Sequence, residues 1–169
     1  PSSSTTAMMA VGDALAFSVY RLRSFDKLDF ALSHPAGALG RRLLLEVRDI
    51  MCTGNKIPVV KPDDLLKSAI ITISQGGLGF IIIVNEQNTL EGIFTDGDLR
   101  RLLADSTDIL NDKISKHMII DFKTTKPGHL ASDVLKIMKS EKISGLPVID
   151  DKRRLIGAIN FHHLLGIGL

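Results

Sequence analysis

Thr95-Asp96-Gly97-Asp98 stands where a run of apolar and β-branched residues gives way to a charged, helix-forming one. A threonine at such a strand-to-helix junction sits among backbone N–H groups that have no partner inside the helix. Those groups and the helix dipole attract an anion such as phosphate. Asp98, three residues on and one turn along, offers a carboxylate that accepts hydrogen bonds from hydroxyl groups. The same pair also fits plain helix capping, with Thr95 as the N-cap and Asp98 as its acidic partner. The two readings are compatible, since a capped helix end is also an anion site. Arg100 and Arg101 follow within the next turn and supply cationic side chains for an acidic ligand group.

A related junction lies 65 positions later. Asn160 falls on Thr95 and His163 falls on Asp98, so the carboxylate is absent from the second copy. His162 and His163 offer imidazoles to an acidic ligand or a metal. Adjacent helical residues point about 100° apart, which disfavours a shared ion and favours a solvated helix face. No metal site is expected.

The 65-residue offset runs through most of the chain without a gap. Lys61-Pro62 falls on Lys126-Pro127, Leu65 on Leu130, Leu90 on Leu155, Gly92 on Gly157 and Leu99 on Leu164. In each copy a proline marks a turn, and Asp63 or Ser132 is placed to start a helix. Leu65, Leu66, Ala69, Ile70 and Ile73 recur at helical spacing, as do Leu130, Val134, Leu135 and Met138. Gly76-Gly77 and Glu141-Lys142 end those helices. Strands are predicted at 80–84 and 146–149, polar turns at 85–88 and 150–153, second strands at 90–95 and 155–160, then second helices. The order is β-turn-α-β-β-α, about 55–60 residues per copy, near the lower limit for independent folding. Two copies packed together bury each other's apolar sheet faces.

The whole chain has 169 residues, 44% hydrophobic and 24% charged, which suits a globular protein. A net charge of +2 is too small to argue for a nucleic-acid or membrane partner. No apolar stretch approaches the roughly 20 residues that span a bilayer. Cys52 is the single cysteine, so no internal disulfide forms; a buried thiol in a reducing compartment is expected. No signal-peptide pattern is present.

These elements, with Gly145-Leu146-Pro147-Val148-Ile149-Asp150 and Gly92-Ile93-Phe94-Thr95-Asp96-Gly97-Asp98, resemble the CBS domain, named after cystathionine β-synthase. The resemblance implies an α/β (α+β) fold: a tandem CBS pair (Bateman module) with copies at 47–105 and 112–169. Such pairs often bind adenosyl ligands or other nucleotides, with Asp98 holding ribose hydroxyls and Thr95 the phosphate. Asn160 and His163 depart from that pattern and put the second half-site in doubt.

Residues 1–46 do not match the repeat. A helix is predicted over 7–23 after the Ser/Thr-rich start, with a short helical turn from Asp26 to Phe30. The run Ala31-Leu32-Ser33-His34-Pro35-Ala36-Gly37-Ala38-Leu39-Gly40-Arg41 resembles the end of the sugar isomerase (SIS) domain in bacterial D-arabinose 5-phosphate isomerases, where a CBS pair follows. Ala36 departs from the glycine usual there. That family interconverts D-ribulose 5-phosphate and D-arabinose 5-phosphate, feeding synthesis of Kdo for Gram-negative lipopolysaccharide. The proton shift between C1 and C2 needs a base near neutrality, and the resemblance points to His34; read without it, His34 is a structural residue before Pro35.

The resemblance further implies a cytoplasmic, bacterial enzyme without a required cofactor, controlled by a nucleotide or nucleotide sugar such as AMP or CMP-Kdo. It implies homodimers through the CBS pairs and tetramers of the full-length enzyme. The sheet and Ser-rich phosphate loop of the SIS domain are expected before Pro1, so residues 1–169 alone are expected to lack isomerase turnover. Two other readings compete: an oligomerisation module without a physiological ligand, and the CBS pair of a different SIS enzyme.

Overall fold

The computed structural model describes residues 2–26, 29, 32–33, 43–105 and 109–166, in two units, Pro1–Leu44 and Leu45–Leu169. In the first unit, helix α1 spans Ser3–Leu22. It begins earlier than the sequence suggests, because Ser2 is itself the extended N-cap residue and its carbonyl accepts from the Thr5 and Thr6 N–H groups at 3.0 and 3.3 Å. None of its residues is buried, and Met8, Met9, Leu15 and Phe17 are exposed. Beyond it, the Asp26 and Asp29 side chains each accept the other's backbone N–H.

The second unit holds both copies. In the first, β1 (Val59–Val60) runs parallel to β2 (Phe80–Val84), which pairs antiparallel with β3 (Leu90–Thr95). Helix α2 (Leu66–Gly76) lies between β1 and β2, and α3 (Asp96–Asp105) follows β3. The second copy has α4 (Ala131–Glu141), β4 (Gly145–Ile149), β5 (Leu155–Asn160) and α5 (Phe161–Gly166). Its first strand shrinks to a single parallel bridge between Thr125 and Val148. Both α2 and α4 end in a left-handed residue, Gly77 and Lys142, and both hairpin turns carry another, Asn88 and Arg153.

Asp63 and Ser132 do not cap the helices. Leu65 and Leu130 are the N-cap residues, without side-chain bonds. Main-chain carbonyls take that role instead: Leu66 N–H donates to the Asp112 carbonyl and Ala131 N–H to the Leu45 carbonyl, both at 2.8 Å. A helix end satisfied by distant backbone needs no capping side chain.

These bonds expose an exchange of arms between the copies. The segment before the first copy packs on the second: Val47 N–H donates to the His129 carbonyl at 2.9 Å, and Cys52 exchanges two bonds with Ala158 at 2.8 and 3.0 Å. The segment before the second copy packs on the first: Ile114 N–H donates to the Asp64 carbonyl at 2.8 Å, and Ile119 exchanges two bonds with Ile93 at 2.8 and 3.0 Å. Val47 accordingly fills a core with Val134, Met138, Leu146 and Leu164, while Ile114 fills one with Leu66, Ile73, Ile81 and Phe94. The conserved spacing of Gly92 and Gly157 in the repeat now has a cause. A Cβ at Gly92 would lie 2.7 Å from Met118 Sδ, and one at Gly157 2.5 Å from Met51 Sδ, so each arm crosses its host strand over a glycine.

The arm before the second copy also carries an ionic clamp. Asp112 is held below the usual carboxylate range by its hydrogen bond from Lys116 and next by that from His117, against a smaller desolvation effect.

A third core joins the copies. Phe80, Ile82, Val84 and Leu90 meet Ile149, Leu155 and Ala158. This is why β2 is buried along its whole length: Ile81 and Ile83 face α2, and the alternate residues face the other copy. Phe80 and Gly145 occupy equivalent positions, and a Cβ on Gly145 would collide with the Phe80 ring. Only one of the two positions can carry a large side chain.

Candidate functional site

The junction of β3 and α3 forms a reciprocal box. Thr95 N–H and Thr95 Oγ1 both donate to Asp98 Oδ2, at 2.9 and 2.6 Å, and Asp98 N–H donates to Thr95 Oγ1 at 3.2 Å. Capping is therefore real. The second oxygen, Asp98 Oδ1, accepts from the exposed Arg101 guanidinium.

Thr95, Asp98 and Arg101 line a cavity of about 500 Å³. Its other walls come from the second arm (Asp121, Phe122, Lys123) and from the end of α4 and start of β4 (Glu141 to Leu146). Three carboxylates, on Asp98, Asp121 and Glu141, are matched by three cations, on Arg101, Lys123 and Lys142. Lys123 Nζ lies 3.8 Å from Glu141 Oε1. Phe80 and Phe122 supply apolar aromatic surface. The combination of apolar wall and a few convergent polar groups is that of a small-molecule site.

A second cavity, about 490 Å³, lies at the pseudo-equivalent place, bounded by the first arm, the end of α2 and His163. Here Asn160 Oδ1 accepts the His163 N–H at 3.0 Å, so the second junction is capped by its first residue alone. His163 does not lie on a solvated face, as the sequence suggested. Its Nε2 is 3.7 Å from Cys52 Sγ, and its Nδ1 is buried without a partner among the described residues. Cys52 is only partly buried and lines this cavity.

A third concavity, about 810 Å³, is lined by both copies together, including the equivalent pairs Thr95 and Asn160, Gly79 and Ser144, and Gly97 and His162. Arg100 lies here and donates to the Asp96 carbonyl at 3.3 Å. Of the candidate residues, the structure brings together Thr95, Asp98 and Arg101. It places Arg100 and Asn160 at the third concavity and His163 at the second cavity. His34 lies outside the described residues. Sequence reasoning missed Asp121, Phe122, Lys123, Glu141 and Lys142. An offset of 67, which aligns Met51-Cys52 with Met118-Ile119, was the signal that the arms form a repeat of their own.

Two arm-exchanged α/β copies with paired clefts define a class. The CBS domain family matches residues 47–105 and 113–168, and the chain belongs to that family. Its fold is similar to the CBS-domain protein ATU1752 from Agrobacterium tumefaciens, with TM-score 0.66 and 20% identity over 73% of this chain and 93% of that one. It is also similar to the CBS domain pair of protein MJ0100 in complex with 5-methylthioadenosine and S-adenosyl-L-methionine, with TM-score 0.64 and 25% identity over 73% and 98%.

A more particular likeness extends over the full length. The chain is 44% identical to arabinose 5-phosphate isomerase KdsD of Pseudomonas aeruginosa, across 100% of this chain and 52% of that protein. It thus spans about half the length of the curated relatives it matches. No helix among the described residues is long and apolar enough to cross a membrane.

Proposed function

We propose that this chain carries the regulatory CBS pair of a D-arabinose 5-phosphate isomerase, and that its first cavity binds a nucleotide or nucleotide sugar. The observation that carries this reading is that Thr95, Asp98 and Arg101 line one cleft together with the aromatic side chains of Phe80 and Phe122. Asp98 accepts ribose hydroxyls once Arg101 turns from it to the ligand's phosphate. Lys123 and Lys142 are placed to serve a further acidic group. CMP-Kdo offers all three parts: a ribose, a phosphate and a carboxylate. AMP offers two.

Control of the isomerase follows only if the ligand binds two states of the whole enzyme with different affinity. The apolar side chains exposed on α1 fit a helix that docks on an isomerase domain, with His34 as base in the proton transfer. A thermal-shift screen with AMP, ATP, CMP and CMP-Kdo tests the nucleotide reading. A ligand that binds only the native state raises the midpoint with concentration. The reading fails if none of the four does so.

A second reading has its own support. Ile71, Leu103 and Ile137 are exposed on α2, α3 and α4, and pairing of two copies would cover such side chains. A stable dimer by light scattering, with no shift from any nucleotide, would favour an assembly role.

A further inference from the structure

Helix α4 connects the first cavity to the place where the chain enters the second unit. Its last residue, Glu141, and Lys142 to Leu146 beyond it line that cavity. Its first residue, Ala131, donates its N–H to the Leu45 carbonyl at 2.8 Å. Leu45 is the first residue of the second unit and follows directly on the first. Further backbone bonds tie this entry segment to the start of α4. Glu46 forms an antiparallel bridge with Leu130. Val47 N–H donates to the His129 carbonyl and Arg48 N–H to the Pro127 carbonyl, both at 2.9 Å. The segment is also braced internally: Glu46 N–H donates to Asp49 Oδ2 at 2.9 Å, and Asp49 N–H to the Glu46 carbonyl at 3.1 Å.

The helix between these ends is held as one piece. Its 11 residues make a rod of about 16 Å. Ala131, Val134, Leu135 and Met138 share a core with Val47, and the partly buried Leu45 and Ile143 pack against that same core. At the cavity end the helix closes through left-handed Lys142, and Ile143 N–H donates to the Met138 carbonyl at 3.0 Å. A close-packed interior passes a displacement on rather than absorbing it.

Helix α2 has the same design and a different destination. Its first N–H, on Leu66, donates to the Asp112 carbonyl in the segment between the copies, and its end borders the second cavity. That cavity has no counterpart of Asp98 or Arg101 in its lining and no carboxylate. Its lysine, Lys56, has no ion-pair partner among the described residues.

We propose that α4 carries the occupancy of the first cavity to the entry segment 45–48, and so toward residues 1–44. The two states are the entry segment bonded to the start of α4 and released from it. A ligand that fixes the turn at Lys142 to Ser144 favours the bonded state. By linkage, whatever releases the segment weakens the ligand by the same factor. The proposal rests on the reading of the first cavity as a nucleotide site and supplies the route by which that site acts.

Residue-resolved amide exchange of the 169-residue chain, with and without saturating AMP or CMP-Kdo, tests it. Protection of Val47, Arg48 and Ala131 rises about fivefold or more with ligand. It rises less at Ile114, Ser115 and Leu66, the equivalent amides at the start of α2. Ala131→Pro removes the N–H bonded to Leu45 at a helix position that suits proline, and weakens the ligand by about the same factor. The proposal is overturned if a ligand binds and Val47, Arg48 and Ala131 gain no more protection than Ile114, Ser115 and Leu66. Undiminished affinity in folded Ala131→Pro overturns it as well. If neither AMP nor CMP-Kdo binds, the nucleotide reading fails and this proposal fails with it; binding without the change at 47, 48 and 131 defeats this proposal alone.

Discussion

The first and second cavities are made by the same elements in the same order, yet one is lined by balanced charges and the other by an unpaired cation. Both junctions that form them fold equally well. Thr95 and Asp98 satisfy the start of α3 with three hydrogen bonds. Asn160 satisfies the start of α5 by accepting one N–H from His163. Helix capping tolerates either solution, so the fold places no demand for a carboxylate on position 163. The same scaffold therefore forms with either set of side chains at its junction.

Substitutions distinguish the two copies and the arms that complete them. The largest effect is expected from the exchanged arms. Ile114→Ala removes a fully buried side chain from the first copy's core and should cost about 2–5 kcal/mol in urea unfolding. Because Ile114 belongs to the first copy by packing, hydrogen exchange should rise more in α2 and β2 than in α4 and β4. A rise confined to α4 would contradict the exchange.

A smaller loss, about 1–3 kcal/mol, is expected for Gly145→Ala, whose new methyl meets the Phe80 ring. Adding Phe80→Leu should recover part of it, and strict additivity of the two substitutions would argue against the contact.

Asp98→Asn should keep the fold, since an asparagine oxygen can still cap, while weakening a nucleotide by tenfold or more through loss of charged hydrogen bonds. Equal affinity for AMP or CMP-Kdo in the variant, measured by calorimetry, would remove Asp98 from the site.

The smallest effect concerns pH. Asp150 and Asn85 are equivalent and make the same turn: each Oδ1 accepts two backbone N–H groups, from Lys152 and Arg154 or from Gln87 and Thr89. Asp150 is held below the usual carboxylate range chiefly by the Arg154 backbone N–H, with partial burial opposing and the Arg154 guanidinium and Lys152 N–H adding to it. A carboxyl depressed in the folded state stabilises above its unfolded pKa, and that contribution disappears as pH falls through the folded value. Asp150→Asn should therefore lower stability modestly at pH 7 and change it little in strong acid, where Asp150 is already protonated, so that the acid limb flattens. An unchanged acid limb in thermal unfolding would contradict this, as would a loss greater in acid than at neutrality.

Strands, hairpin turns and the long helices were legible because each leaves a periodic trace. Phe80 to Val84 and Leu90 to Thr95 fall where the alternation and the polar turns put them. The Thr95–Asp98 pair was legible for a similar reason, being local. The exchanged arms were not, since short 3-10 turns at Val47–Asp49 and Ile114–Lys116 have no period and their partners lie in the other copy. That gap hid half of each cavity. Lys123 and Phe122 gain meaning only when the second arm is laid across the first copy. His163 was misread for the same reason: its neighbour, Cys52, is 111 positions away.

Only the first cavity is expected to hold a nucleotide's ribose. Calorimetric titration of the chain with AMP and with CMP-Kdo, beside Asp98→Asn and His163→Asp variants, tests it most directly. The expected result is one equivalent bound by the parent chain, loss of that binding in Asp98→Asn, and none of that loss in His163→Asp. Two equivalents in the parent chain, or binding that survives Asp98→Asn and is lost in His163→Asp, would contradict the account.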